Sequence, residues 1–269
     1  MKINKIYNEN CIDTMSRMKD GLIDLTVTSP PYDNLRTYNG YSFDFESIAK
    51  ELYRVTKEGG VVVWVVSDAT IKGSETGTSF KQALYFKEIG FNLHDTMIYY
   101  KNPIFPSSNR YYQQFEYMFI FSKGKPNTFN PIMIDKADST LKDREGRKNT
   151  EKGFNRGTHN KKDFLIRKNT DKKQRAKSNV WKITNGHSSS KDKIAFKHPA
   201  IFPEQLANDH IISWSNENDI VYDCFMGSGT TAKMALINNR KFIGSEMSAE
   251  YCEIAEIRIS NYRINLFTK

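Results

Sequence analysis

Cysteine is scarce in this chain. Cys11, Cys224 and Cys252 show no Cys-x-x-Cys spacing and no neighbouring His. Neither a disulfide framework nor a zinc site is supported, so packed, reduced thiols and no metal are expected. Long apolar runs are missing as well. No 18-residue apolar span occurs, and Met1-Lys2-Ile3-Asn4-Lys5 lacks the apolar stretch of a secretory signal. The expectation is a cytoplasmic protein with no membrane partner. Proline is sparse at 8 residues, yet Pro30 and Pro31 are consecutive.

Charge, by contrast, is abundant and uneven. Of the formal +9, the stretch from Lys123 to Lys197 holds 21 Lys and Arg against 8 Asp and Glu, while the remainder is net acidic. A basic excess confined to one segment can neutralise phosphates and release counterions, the sequence-independent part of nucleic-acid affinity. At 269 residues the chain suffices for one large domain carrying an insertion.

The stretch that organises the chain is Thr28-Ser29-Pro30-Pro31-Tyr32. The apolar run Leu22 to Val27 reads as a short buried strand, and two prolines end it because neither can donate a ladder hydrogen bond. The pentapeptide therefore stands at a strand's carboxyl end, where open α/β sheets bind ligands. A second motif, Asp223-Cys224-Phe225-Met226-Gly227-Ser228-Gly229-Thr230-Thr231-Ala232, follows the apolar Ile220-Val221-Tyr222. This reads as strand, Gly-x-Gly turn and a helix from about Thr230, which presents bare backbone and a helix N-terminus to a nucleotide-like ligand. The next strand, Lys241 to Gly244, ends in Glu246, at the spacing where such folds place an acid on ribose hydroxyls.

Together these residues resemble the amino-directed DNA methyltransferases, which move a methyl from S-adenosylmethionine to an exocyclic base nitrogen. Ser29 to Tyr32 is similar to that family's catalytic motif and Asp223 to Gly229 to its cofactor motif. The order, catalytic motif first, is that of the circularly permuted β group. His198-Pro199-Ala200-Ile201-Phe202-Pro203 resembles its third landmark, a cofactor-contacting segment. The resemblance implies a Rossmann-like class I fold: a mostly parallel doubly wound α/β sheet with an antiparallel edge pair. It divides the chain into a catalytic half (1–126), a target-recognition insert (127–190) and a cofactor half (191–269). Ser29, Pro30, Pro31 and Tyr32 are then catalytic. Asp13, Thr28, His198, Pro199, Phe202, Pro203, Asp223, Phe225, Gly227, Ser228, Gly229, Thr230, Thr231 and Glu246 hold S-adenosylmethionine. Among these, Glu246 takes the ribose diol, Asp223 faces the ammonium, and Thr230 and Thr231 meet the carboxylate. Double-stranded DNA is the implied partner, with a homodimer and a cognate restriction endonuclease as further candidates.

Periodicity supplies the other elements. Phe45, Ile48, Leu52 and Val55 predict a helix closed by Gly59-Gly60, and Val61 to Val66 a fully buried strand with Asp68 at its active edge. Asp33 to Tyr41 reads as a loop over the site. Thr70 to Ser79 reads as another loop, and the helix from Phe80 to Ile89 as burying Phe80, Leu84 and Phe86. Asn92–Tyr100 and Glu116–Phe121 predict an antiparallel pair at the sheet edge. Within the insert, Trp181 reads as packed and His187 as solvated.

The chemistry follows from the target. An exocyclic amine is a poor nucleophile because its lone pair is delocalised, so it needs acceptors for its N–H groups. The Ser29 hydroxyl and Pro30 carbonyl are suited to that, with Tyr32 stacking on a flipped base. No proline is followed by cysteine, which disfavours C5-cytosine methylation. Ser at position 29 leans towards N4-cytosine, with N6-adenine the alternative. An RNA amino-methyltransferase and a silent DNA-binding protein are further readings. A dinucleotide dehydrogenase leaves the Ser-Pro-Pro-Tyr turn unexplained.

Overall fold

Apolar side chains alternate across a central sheet, and both of its faces are covered. The computed structural model describes residues 1–31, 43–101, 109–136, 173–184, 186 and 189–267, the last five by backbone alone. In chain order the elements are β1 (Lys5–Tyr7), α1 (Cys11–Ser16), β2 (Ile23–Thr28), α2 (Phe45–Val55) and β3 (Thr56–Val66). Then come β4 (Thr70–Ile71), β5 (Ser74–Glu75), α3 (Thr78–Glu88), β6 (Asn92–Tyr100) and β7 (Phe115–Ser122). β8 (Met133–Asp135), β9 (Gln174–Ala176), β10 (Val180–Lys182) and a 3-10 turn (Lys193–Lys197) lead to α4 (Glu204–Trp214). The chain closes with β11 (Ile220–Asp223), α5 (Thr230–Ile237), β12 (Lys241–Ser245) and α6 (Ala249–Phe267).

The sheet runs β1-β12-β11-β2-β3-β7-β6-β10. Strand β7 is antiparallel to β3 and β6, and the other neighbours pair parallel. This is a mostly parallel, Rossmann-like α/β sheet. Val62, Trp64 and Val66 of β3 point into one core, with Met15, Leu52, Phe86 and Phe121. Full burial of each such side chain stabilises by about 1.5–3 kcal/mol. The intervening Val61, Val63 and Val65 are equally buried on the other face, as a strand covered on both sides requires.

Several expectations are corrected. Helix α2 is not closed by Gly59-Gly60: β3 already begins at Thr56 and both glycines lie within it, where Gly59 N–H bonds the Lys123 carbonyl. The antiparallel pair does not form the sheet's edge, since β10 adds to β6 with Val180 opposite Ile98. That pairing buries Trp181 to 4% exposure. Residues 70–79 contain a small hairpin, β4 with β5. Of the three expected core residues on α3 Phe86 is buried, together with Ala83, whereas Phe80 and Leu84 are 49% and 65% exposed. The buried stripe of α3 is therefore narrower than the spacing of its apolar residues implies.

The chain forms two compact units, residues 1–130 with 179–269, and 131–178. The smaller holds the antiparallel pair β8–β9. Its boundaries fall inside the insert expected from composition, because Asn179 already bonds Ile98 of the main sheet. Tyr32, the loop Asp33 to Tyr41 and His187 lie outside the described residues.

Candidate active site

Strands β2 and β11 come from opposite ends of the chain, yet they are neighbours, with Leu25 opposite Val221 and Thr26 opposite Tyr222. Their carboxyl ends thus bring Thr28-Ser29 beside Asp223 at one sheet edge. Ser29 is half-buried, Pro30 buried and Pro31 half-buried. The join is covered by a buried hydrogen bond: Thr28 Oγ1 donates to Asp223 Oδ1 at 2.6 Å. Cys224 Sγ reaches the same hydroxyl at 3.5 Å. The serine-proline turn and the glycine turn are therefore locked together through the first residue of each stretch.

Asp223 also accepts the Phe225 amide at 3.0 Å, so its carboxylate closes the turn of its own strand. Phe225 packs edge-on against Phe43 and Trp64. The turn itself needs glycine. Gly227 and Gly229 have φ of 50° and 80°, a region open to glycine without strain. A Cβ on Gly229 would stand 2.6 Å from Ala255 Cβ on α6, and one on Gly227 3.1 Å from His198 Nε2. The His198 imidazole thus covers the bare Gly227 backbone. It is oriented by Tyr251, centroids 4.2 Å apart, and by the Ala200 amide donating to Nδ1, which leaves the ring proton on Nε2. Phe202 is half-buried, Pro199 exposed, and the buried Pro203 sits at the N-terminus of α4.

Glu246 leaves β12 with both oxygens engaged. Oε2 accepts Gly227 N–H at 2.8 Å and Oε1 accepts Ser248 N–H at 2.8 Å. The carboxylate is thereby fixed across the mouth of the glycine turn, and each oxygen keeps a lone pair for a further donor. Asp13 is an exposed acid in the first turn of α1. Strand β1, just before it, ends beside β12, with Tyr7 opposite Ser245.

Three of the hydroxyls expected at the cofactor also have protein partners. Ser228 and Thr230 receive hydrogen bonds from Arg258 Nη1 at 3.1 Å each, and Thr231 lies 3.4 Å from the Val27 carbonyl. The turn also offers a ligand its backbone: the first N–H groups of α5 have no partner within the helix. Arg258, whose carboxylate partners Asp192 and Glu204 it shares with Lys233, was missed by sequence reasoning. The signal was present, since Arg258 falls on the buried stripe Ala255, Ile259 of α6, where a charge demands partners. Asp68 follows the carboxyl end of β3 as expected, and its carboxylate accepts the Ser79 amide at the start of α3.

Burial pushes the Asp223 carboxyl up to about 6, and nearby Glu246 adds to the rise against the hydrogen bonds from Thr28, Thr231 and Phe225. Burial likewise raises Glu246. The folded chain therefore holds the Asp223 proton more tightly than an unfolded Asp near 4. Its contribution to stability is complete below about pH 4 and is lost as pH rises through 6. Asp223→Asn is expected to remove that decline. The gap between wild type and variant in urea unfolding should change by on the order of 2–3 kcal/mol between pH 4 and 7. A gap independent of pH would show that Asp223 titrates normally.

Residues 23–257 match the family model described as DNA methylase, the N6/N4 methyltransferases. The chain belongs to the N6/N4 DNA methylase family. It is similar to the orphan methyltransferase M.BamHII of Bacillus amyloliquefaciens, 65% identical over 247 residues and covering 91% of each chain. It is also similar to the type II methyltransferase M.BglII of Bacillus subtilis, at 27% identity over 94% of this chain and 68% of the relative. Among solved structures, the PvuII cytosine-N4-specific DNA methyltransferase shares the fold, with TM-score 0.69, 20% identity and 98% and 92% of the two chains covered. M1.HpyAVI in complex with S-adenosylmethionine superposes with TM-score 0.62 at 22% identity, over 95% and 98%. This DNA methylase is an S-adenosylmethionine-dependent DNA amino-methyltransferase. The bare glycine turn, fixed acid and open helix start fit that cofactor.

Proposed function

We propose that this DNA methylase methylates N4 of cytosine within a specific duplex sequence, with Ser29 and Pro30 as the acceptors that activate the amine. The observation that carries this reading is the placement of the serine-proline turn and the glycine turn on adjacent parallel strands, tied by the Thr28–Asp223 hydrogen bond. S-adenosylmethionine supplies an electrophilic methyl on a sulfonium when bound. Glu246 takes the ribose hydroxyls, and the Gly227–Gly229 backbone with the start of α5 receives the amino-acid end. Ser29 Oγ and the Pro30 carbonyl accept hydrogen bonds from the amine, which localises the nitrogen lone pair. Ser29 and Pro30 would hold the amine in line while its nitrogen takes the methyl that the cofactor would supply, with the displaced amine proton passing to solvent. The cytosine assignment rests on serine at position 29, where a hydroxyl rather than a carboxylate meets the amine.

The basic run within 127–190 is proposed to hold the duplex through phosphates. Its binding should weaken steeply with salt, with a log–log slope of several units. A shallow slope measured by fluorescence anisotropy would remove that segment from the DNA interface. The relative at 65% identity is named an orphan, which favours action without a partner endonuclease. Nucleoside mass spectrometry of DNA modified by the enzyme tests the base: N4-methylcytosine is expected. N6-methyladenine alone would overturn the cytosine assignment and leave the amine chemistry intact.

A further inference from the structure

We propose that Arg258 is a positioning residue for S-adenosylmethionine, acting through the glycine turn and never touching the cofactor itself. The proposal rests on the reading of Gly227 to Thr230 as the cofactor cradle. Arg258 has a fully buried side chain whose donors run in two directions. Towards the turn, Nη1 donates to the Ser228 carbonyl at 2.6 Å, the Ser228 hydroxyl at 3.1 Å and the Thr230 hydroxyl at 3.1 Å. Towards the start of α4 and the stretch before it, Nε donates to Asp192 at 2.9 Å, and Nη2 to Glu204 at 2.8 Å and Ser190 at 3.3 Å.

Two carboxylates here would repel each other if one cation served them. Lys233 of α5 supplies the second, at 2.7 Å from Asp192 and 2.9 Å from Glu204. Burial works against ionisation of both acids, yet the bonds from Lys233 and Arg258 outweigh it and hold them below the usual carboxylate range. The cluster stays charged, and its one planar fork spans three segments: the stretch carrying His198 to Pro203, the glycine turn and α6. Only a guanidinium presents donors in such a fixed fan. With its carbonyl pinned, the Ser228–Gly229 peptide plane is fixed, and with it the direction of the N–H groups that open α5. The arrangement sets the cradle before any ligand arrives, which lowers the ordering cost of binding.

The test is Arg258→Lys in the full-length enzyme, assayed for KM of S-adenosylmethionine, kcat and DNA affinity. The lysine keeps the charge and loses the fan. The expected result is a KM for S-adenosylmethionine raised at least tenfold, with kcat at saturating cofactor within about twofold of wild type and DNA affinity unchanged, the pattern of lost uniform binding. A folded variant with wild-type KM, whatever its melting temperature, would overturn the proposal and leave Arg258 as a structural ion pair. Should Arg258→Lys not fold, Asp192→Asn decides the question, with a KM rise of about threefold supporting the proposal and no rise overturning it. Glu246→Gln, run alongside, separates the two layers. If Glu246→Gln loses cofactor affinity and the cluster variants do not, the positioning role alone fails. If Glu246→Gln also binds normally, the assignment of the cradle fails and the proposal with it.

Discussion

Ser29→Ala is expected to fold, bind S-adenosylmethionine as tightly as wild type and transfer methyl 10²–10³ times more slowly. The hydroxyl follows β2 directly, and its backbone is held by Pro30 and Pro31 on one side and by the Thr28–Asp223 hydrogen bond on the other. Loss of one preorganised acceptor costs about 2.7–4 kcal/mol of transition-state stabilisation. The alanine keeps the backbone and Cβ of the half-buried Ser29 in place, so the variant should fold and its calorimetric cofactor affinity should stay at the wild-type value. Single-turnover transfer on duplex DNA measures the loss. A fully active variant would take the essential acceptor away from Ser29.

Glu246→Ala should act on the other half of the reaction. The wild-type carboxylate accepts the Gly227 and Ser248 amides, so its removal frees the rim of the glycine turn and deletes a charged acceptor for the cofactor. Hydrogen bonds to charged groups are worth roughly 1.5–3 kcal/mol. Cofactor affinity should therefore fall by more than tenfold, and residual transfer should recover at saturating cofactor. Isothermal titration showing unchanged affinity would exclude Glu246 from the site.

The contrast between these variants reflects which parts of the molecule could be read from its sequence. The strand before Pro30, the glycine turn before α5 and the acid after β12 are local signals, each written within ten residues, and the structure carries all three. That β2 and β11 lie side by side is not local. It follows from parallel pairing between residues about 195 positions apart, and only the motif resemblance pointed to it. Arg258 was missed for another reason. Periodicity scoring treats a charge on a helix as solvent-facing, whereas here the apolar stripe of α6 and the acids at 192 and 204 enclose it. Phe80 and Leu84 show the reverse error, since helical spacing assigns a face but cannot say whether another element covers it. Strand β10 was hidden because three residues, Val180 to Lys182, are too few for any period to register.

The central claim is that the edge shared by β2 and β11 moves a methyl from S-adenosylmethionine to a base amine in DNA. It is tested most directly by supplying tritiated S-adenosylmethionine with unmethylated duplex DNA, and in parallel with RNA, then digesting the product to nucleosides. The account predicts label in the duplex alone, on an exocyclic amino nitrogen, and its loss in Ser29→Ala. Label on RNA but not DNA, or on ring carbon 5 of cytosine, would contradict it.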